Sequence, residues 1–193
     1  MSMAISRQAI ARALLAPLGI KAEPLGNHIF MSNQEGYRDN SGAVGTYDPE
    51  RAKQLLDEAG WKMEGSVRKK NGKPLEIVAI IPSAVSTSKQ ETELMQNMLA
   101  QVGISLIIST VPSPDFFEKY IRPGQFDVTV FAWIGTPYPI SSARSLYAQP
   151  TRGADGQMDI QQNYARNGDP EIDRLFAVAN SELDRAKARE LAN

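Results

Sequence analysis

The segment that most constrains the fold is residues 46–61, which read Thr-Tyr-Asp-Pro-Glu-Arg-Ala-Lys-Gln-Leu-Leu-Asp-Glu-Ala-Gly-Trp. Asp48 is a preferred N-cap residue, and Pro49 suits the first helical position because its missing N–H would have no partner there. Gly60 can take the left-handed conformation that ends a helix, so that Trp61 folds back onto the last turn. Apolar residues recur at i, i+3, i+4 and i+7, namely Ala52, Leu55, Leu56 and Ala59. The pattern predicts an amphipathic helix with both ends marked, packed on a core.

Composition narrows the class of protein. A chain of 193 residues can bury a substantial core as one domain, and 21 Lys+Arg against 22 Asp+Glu give a net charge of −1. This balanced charge provides no excess of positive charge that would attract nucleic acid. The one basic cluster, residues 68–70, is expected to be a solvated turn. The absence of cysteine excludes disulfides and thiolate metal sites. No apolar run reaches the length of a membrane span, and Met1-Ser2-Met3 begins no signal peptide.

The middle of the chain alternates between strand and helix patterns. Asn71-Gly72 predicts a tight hairpin turn between strands at 66–70 and 73–81, because both residues accept positive φ. Three apolar strands are predicted, at Leu75–Ile81, Ile104–Val111 and Phe126–Trp133. Helices at Ser86–Val102 and Pro114–Ile121 are predicted between them. This order favours an α/β fold with a mostly parallel sheet covered by helices.

The ends of the chain are predicted to be helices and loops. Residues 5–15 form a helix candidate that Ser6 can cap, and residues 17–46 are expected to be a loop wrapped over the surface. Tyr138–Tyr147 is a further helix candidate, followed by a Gly/Asp/Gln-rich loop from Gln149 to Gly168. Asp169 then begins another capped helix.

The amino-acid sequence of residues 46–61 resembles the signature helix of the family 5 bacterial extracellular solute-binding proteins, the oligopeptide and dipeptide receptors of ABC importers. Asp-Pro-Glu-Ile-Asp at 169–173 and the run 183–189 resemble two later segments of the same family, in the same order. The resemblance implies the C-terminal lobe of a periplasmic-binding-protein-like (type II) fold. Residues 1–193 would form one lobe: 5–61 helix, wrapping loop and signature helix; 66–133 hairpin and β-α-β-α-β core; 134–193 cleft turn and C-terminal helices. The N-terminal lobe, a leader, a lipid-anchor cysteine and a closing segment would lie outside the chain.

The best site candidate is the stretch 131–139, where a strand runs into a Gly/Pro-rich turn. Ligands of parallel sheets bind outside the carboxyl ends of the strands, which here means 82–88, 112–115 and above all 133–139. Gly135 lets a backbone approach, while Trp133 and Tyr138 offer apolar rings with one polar end each. The alternative is that Trp133 merely plugs the end of the sheet.

The family resemblance adds roles to this turn. Peptide receptors have a Gly-Trp-x-x-Asp-like stretch here, whose Asp pairs with the α-amino group of the peptide. Trp133 matches, but Thr136 stands where that Asp belongs. Arg144, in the following helix, is the nearest remaining charge, although the pattern fits an ordinary surface residue at least as well. The predicted ligand-binding residues are Trp133, Gly135, Thr136, Tyr138 and Arg144.

Two functions of different classes remain open. The first is a lobe that captures a peptide or related solute in an interlobe cleft and delivers it to an ABC permease. It implies an extracellular or periplasmic protein, lipid-anchored at full length, with no nucleic-acid partner and a monomeric fragment. The alternative is a regulatory or interaction module that kept the receptor fold without peptide transport.

Catalysis is not expected. His28 is the only histidine and no nucleophile elbow is present, and neither a metal-ligand spacing nor a cofactor motif occurs. The carboxylate pairs Asp57-Glu58 and Glu91/Glu93 are typical of helix faces with neighbouring Lys. We therefore expect no hydrolysis of peptides or esters. Turnover on a generic substrate panel that His28→Ala abolishes would contradict this.

Overall fold

The computed structural model describes residues 1–21 and 23–193, so one position of the predicted 17–46 loop lies outside the described residues. The chain divides into two compact units. The sheet unit comprises Met1–Pro24 and Ser41–Ala132, and the helical unit comprises Leu25–Asn40 and Trp133–Asn193. No described helix combines the length and the apolar character that crossing a bilayer requires.

The described part of the sheet unit contains three α-helices and six strands: α1 (Arg7–Leu15), α2 (Pro49–Glu58), β1 (Lys62–Glu64), β2 (Val67–Lys70), β3 (Lys73–Pro74), β4 (Glu76–Pro82), α3 (Ser86–Ala100), β5 (Ser105–Val111) and β6 (Val128–Thr129). The helical unit contains α4 (Pro139–Tyr147), β7 (Thr151–Arg152), β8 (Met158–Asp159), α5 (Pro170–Ser181) and α6 (Arg185–Ala192). Apart from the one at 114–121, the predicted helices are present as α-helices, with bounds that shift by a few residues.

The ends of α2 form as the sequence predicts. The Asp48 carboxylate accepts the backbone N–H of Arg51 at 2.8 Å, which satisfies one of the free donors of the first turn. At the other end Gly60 has φ +85°, and the N–H of Trp61 donates to the Leu56 carbonyl at 2.9 Å. Three further helices start with the same kind of side-chain cap, from Ser6, Asp169 and Asp184.

The central sheet has the order β5-β4-β6, and both pairings are parallel. Pairing of β4 with β5 runs from Glu76 opposite Ser105 to Pro82 opposite Val111. The predicted parallel arrangement is therefore confirmed. Helix α3 packs on both of these strands. The sheet-unit core comprises Ala4, Ile10, Ala52, Ala79, Met95, Leu99, Val102, Ile104 and Leu106.

The third strand is shorter than predicted, because only Val128–Thr129 of the expected 126–133 joins the ladder. The Thr129 hydroxyl donates to the Ile80 carbonyl at 2.8 Å, and the Asp127 carboxylate accepts the N–H of Val78 at 2.8 Å. Side chains thus replace ladder hydrogen bonds around this short strand. The helix predicted at 114–121 also differs: Phe116–Ile121 is π-helical, with the Arg122 N–H reaching the Phe117 carbonyl at 2.8 Å.

The predicted hairpin is confirmed and is extended by β1, which the sequence did not indicate. Strands β1, β2 and β3 form an antiparallel sheet, and the turn residues Asn71 and Gly72 have φ of +53° and +74°. The expected solvated turn at 68–70 is wrong for Arg68, which is only 3% exposed. Its Nε donates to the Val102 carbonyl at 2.8 Å. Its Nη1 donates to the Asp57 carboxylate at 2.8 Å and to the Trp61 carbonyl at 2.7 Å.

The loop at 25–40 belongs to the helical unit and is not wholly on the surface. Asn27 and Phe30 are buried, at 5% and 2% exposure. The Asn27 side-chain oxygen accepts the N–H groups of Ile29 and Phe30, both at 2.8 Å, and its nitrogen donates to the Arg38 carbonyl at 2.9 Å. The hydrogen bonds of this buried side-chain amide therefore fix a segment that has no regular secondary structure.

We predict that Arg68→Met lowers the free energy of unfolding by about 2–4 kcal/mol, because it removes the donor to the buried Val102 carbonyl and to the partly buried Trp61 carbonyl, and also removes an ion pair. Methionine keeps most of the side-chain volume. The matched control is Arg51→Met, since Arg51 pairs with Glu58 at 3.1 Å on the exposed face of α2 and should change stability by about 0.5 kcal/mol or less. Urea unfolding measures both variants. Equal losses would contradict the role assigned to Arg68.

Candidate ligand-binding site

The turn that carries the predicted site lies in the helical unit, between Trp133 and the start of α4. Trp133 is 51% exposed and Tyr138 is 76% exposed. Trp133 is therefore not sealed in a core. In the chain this turn follows β6, but its orientation toward a ligand cleft stays a prediction.

Close packing explains the glycine in this turn. A Cβ on Gly135 would lie 2.6 Å from Cγ of Met31, so only glycine leaves room for that side chain. The Gln34 side chain connects the same two segments. Its Nε2 donates to the Thr136 carbonyl at 2.7 Å, while its Oε1 accepts the Met31 N–H at 2.9 Å. Residues 31–34 thus hold the turn from one side.

The Thr136 side chain is directed to the first turn of α4. Its hydroxyl shares a hydrogen bond of 2.7 Å with the Ser142 hydroxyl. Tyr138 occupies the N-cap position, but its side chain makes no capping hydrogen bond. The Tyr138 carbonyl accepts the Ser142 N–H at 3.1 Å and the Ser141 hydroxyl at 3.2 Å. These hydrogen bonds fix the backbone of Tyr138, while its ring stays exposed.

Trp133 stacks on Tyr164, with ring centroids 6.4 Å apart and planes inclined by 13°. Tyr164 belongs to the 149–168 loop, and no periodicity or motif in the sequence indicated its place at the turn. Stacking fixes one face of the indole and leaves the remaining surface open for contact. Tyr164 is therefore part of the candidate site that sequence reasoning missed.

Arg144 is not gathered with the other predicted residues. It lies in α4 with its side chain exposed, and its backbone carbonyl accepts the N–H of Ala148 at 2.8 Å. Within the described part of the chain, its guanidinium has no hydrogen bond or ion pair with another residue. The geometry shows a solvated cation and leaves its role in binding as a prediction.

A cavity of about 450 Å³ lies beside the turn and is called the Tyr138 groove below. Its walls include Phe30, Glu35, Tyr138, Ser141, Arg185 and Arg189. Of the five predicted site residues, only Tyr138 lines it. A second cavity of about 330 Å³ is mainly apolar and is lined by His28, Tyr147 and Phe176, among others.

Of the groups considered for catalysis, His28, Asp57 and Glu93 have structural partners, whereas Glu91 is partly buried and burial raises its pKa. His28 Nδ1 lies 3.2 Å from the Tyr147 hydroxyl, and burial raises the pKa of Tyr147. Asp57 pairs with Arg68, whose hydrogen bond lowers the pKa of that carboxyl. Glu93 faces Lys89 at 3.8 Å, as expected for a helix face. Across residues 1–21 and 23–193, no three His, Cys, Asp or Glu side chains are grouped to hold a metal ion.

A family model for the bacterial extracellular solute-binding proteins, family 5 (middle region), matches residues 1–155. The chain belongs to this family. The oligopeptide-binding protein OppA of Mycobacterium bovis is 39% identical over 189 residues, which are 98% of this chain and 30% of that protein. The nickel-binding periplasmic protein of Escherichia coli is 29% identical over 149 residues, 75% of this chain and 28% of that protein.

Solved structures agree on the fold. The periplasmic EDTA-binding protein EppA aligns with a TM-score of 0.82 and 25% identity, over 98% of this chain and 34% of that chain. The oligopeptide-binding protein AppA of Bacillus subtilis, solved with a nonapeptide, aligns with a TM-score of 0.78 and 22% identity, over 98% of this chain and 36% of that chain. The predicted α/β, periplasmic-binding-protein-like (type II) fold is confirmed. The chain spans about a third of the length of these relatives.

We predict that Gly135→Ala lowers the free energy of unfolding by about 1–3 kcal/mol, because the new methyl group displaces Met31. In the Met31→Ala background the same substitution should cost much less, since the crowding atom is gone. A double-mutant cycle by urea unfolding measures this coupling. Additive losses would show that Met31 does not set the requirement for glycine.

Proposed function

We propose that this chain is the ligand-binding lobe of an extracellular solute-binding protein, which captures peptides or related solutes between two lobes for an ABC importer. The observation that carries the proposal is the 39% identity to the M. bovis oligopeptide-binding protein along 98% of the chain. The mechanism is burial of a ligand by closure of two lobes, with no bond made or broken. The family is one of solute receptors, not of enzymes.

The turn at 133–138 supplies the contacts in this proposal. The exposed rings of Trp133 and Tyr138 would cover apolar parts of the ligand. Gly135 would let the ligand backbone approach, and Thr136 would offer a hydroxyl. Arg144 would add a positive charge at the rim, where its solvated guanidinium is available. Peptide backbone would pair with turn amides, as in other extended-peptide receptors.

The absence of a carboxylate at Thr136 bears on which ligands fit. A peptide ammonium loses its water on burial, and a neutral hydroxyl cannot offset that cost as a carboxylate can. The proposed ligands are therefore long peptides, whose amino end lies elsewhere, or solutes without an amino terminus. Relatives support both classes, since AppA was solved with a nonapeptide and EppA is named for EDTA binding.

The proposal includes the setting of the protein. The receptor would be extracellular or periplasmic, and a lipid would anchor the full-length protein to the membrane. The fragment would be monomeric, and the full-length receptor would dock on the permease of its importer. A regulatory module without transport remains the alternative, but the relatives described above are named as an oligopeptide-binding and a nickel-binding protein and do not favour it.

The direct test is native mass spectrometry of the complete protein purified from its own organism. We expect a bound peptide or small solute that is released on denaturation. A protein that is ligand-free and that retains nothing from a peptide mixture would contradict the proposed function.

We predict that Thr136→Asp in the complete receptor strengthens binding of short peptides with a free amino terminus by about tenfold or more, because a charge-assisted hydrogen bond replaces a neutral one. The Ser142 hydroxyl, 2.7 Å from the Thr136 hydroxyl, can orient the new carboxylate. Thr136→Asn is the matched control of similar size without charge and should give no gain. Calorimetric titration measures all three proteins. Unchanged affinity in Thr136→Asp would place the amino-end pocket elsewhere.

A further inference from the structure

The Tyr138 groove has a cationic wall that the proposed function does not use. Arg185 and Arg189 lie at i and i+4 on α6, so their side chains share one helix face, and both line the groove. Arg189 pairs with Glu35 at 2.6 Å. Arg185 makes no ion pair or side-chain hydrogen bond with any residue that the structure describes.

Arg189 is fixed in place before any ligand arrives. Gly36 has φ +103°, and a Cβ there would lie 3.0 Å from Cγ and Cδ of Arg189 and 3.2 Å from Cε1 of Phe30. The arginine stem therefore rests against bare backbone, and its side chain is only 24% exposed. A rigid cation costs less conformational entropy when it takes part in binding.

The charged residues that line the groove are one acid, Glu35, and two arginines, Arg185 and Arg189. The hydrogen bond and charge of Arg189 lower the pKa of Glu35, so Glu35 is ionised at neutral pH. One carboxylate then faces two guanidinium groups. Asp184 does not line the groove, and its carboxylate caps α6, where it accepts the N–H of Ala186 at 2.9 Å. The residues that line the groove therefore carry one positive charge more than negative, and Arg185 is the arginine without an ion pair.

We propose that the Tyr138 groove binds a carboxylate of the ligand, with Arg185 as its direct partner and the Tyr138 ring covering the apolar part beside it. The inference rests on the proposed function and specifies the ligand chemistry: a peptide with a carboxylate at one end or on a side chain. A guanidinium offers two parallel N–H donors that match the two oxygens of a carboxylate. A cavity of about 450 Å³ accommodates a terminal residue.

The test uses the complete receptor and an N-acetylated random nonapeptide library, synthesised once with a free C-terminal carboxylate and once as the C-terminal amide. Acetylation removes any contribution of the amino end. We expect the acid library to bind the wild type about tenfold tighter than the amide library. Arg185→Gln should abolish this difference.

The matched control is Arg174→Gln, because Arg174 is an exposed arginine of α5 that pairs with Glu171 and does not line the groove. It should retain the full preference for the acid. Circular dichroism confirms that each variant is folded, which the exposed position of Arg185 favours.

The outcomes separate the two sources of the carboxylate and the two proposals. If acid and amide libraries bind equally but Asp- and Glu-containing members are enriched only when Arg185 is present, the groove takes an acidic side chain. If binding is independent of Arg185 in both respects, the groove proposal is overturned. If the wild type binds no peptide, the peptide function fails, and titration with citrate decides the groove: binding lost in Arg185→Gln supports it, and absence of binding overturns it.

Discussion

The sheet unit depends on one buried guanidinium. Arg68 connects the end of α2, the turn after α3 and the hairpin, through Asp57, Trp61 and Val102. The turn must be glycine, because Gly103 has φ +82° and a Cβ there would lie 2.7 Å from Cγ of Arg68. The ion pair also links stability to pH. Its hydrogen bond places the folded pKa of Asp57 below the unfolded value, so its contribution is complete above the unfolded pKa and disappears as the pH falls through the folded pKa.

Local chemistry made much of this fold predictable. The N-caps, the Gly60 helix end and the Asn71-Gly72 turn each involve residues within a few positions of one another, so the sequence specifies them directly. The strand and helix periods gave the parallel sheet. Burial of Arg68 could not be foreseen in the same way, because its acceptor on Val102 is 34 residues away. A cluster of three basic residues looks like a solvated turn until those distant carbonyls are known.

The candidate site was likewise predictable where it depends on local sequence and not where it depends on distant contacts. Its turn was visible because Gly135 and two aromatics follow an apolar strand in the sequence. The residues that hold the turn were not visible: Gln34 reaches Thr136 across 102 positions, and Tyr164 comes from a loop without periodicity. Only the folded helical unit shows that the 31–34 segment and the 149–168 loop support the same turn.

The polarity of the turn and that of the adjoining groove suggest how a ligand would be oriented. In the proposed site Thr136 brings no negative charge that could pair with a peptide amino group, so the turn itself would give little preference for a peptide amino end. Arg185 and Arg189 bring a net positive charge to the groove beside Tyr138. Tyr138 belongs to both surfaces, so a ligand whose apolar part lies on its ring can place a carboxylate against α6. A charge at one end and aromatic contact along the body are sufficient to select a direction of binding, because the reversed ligand would leave a buried charge unpaired.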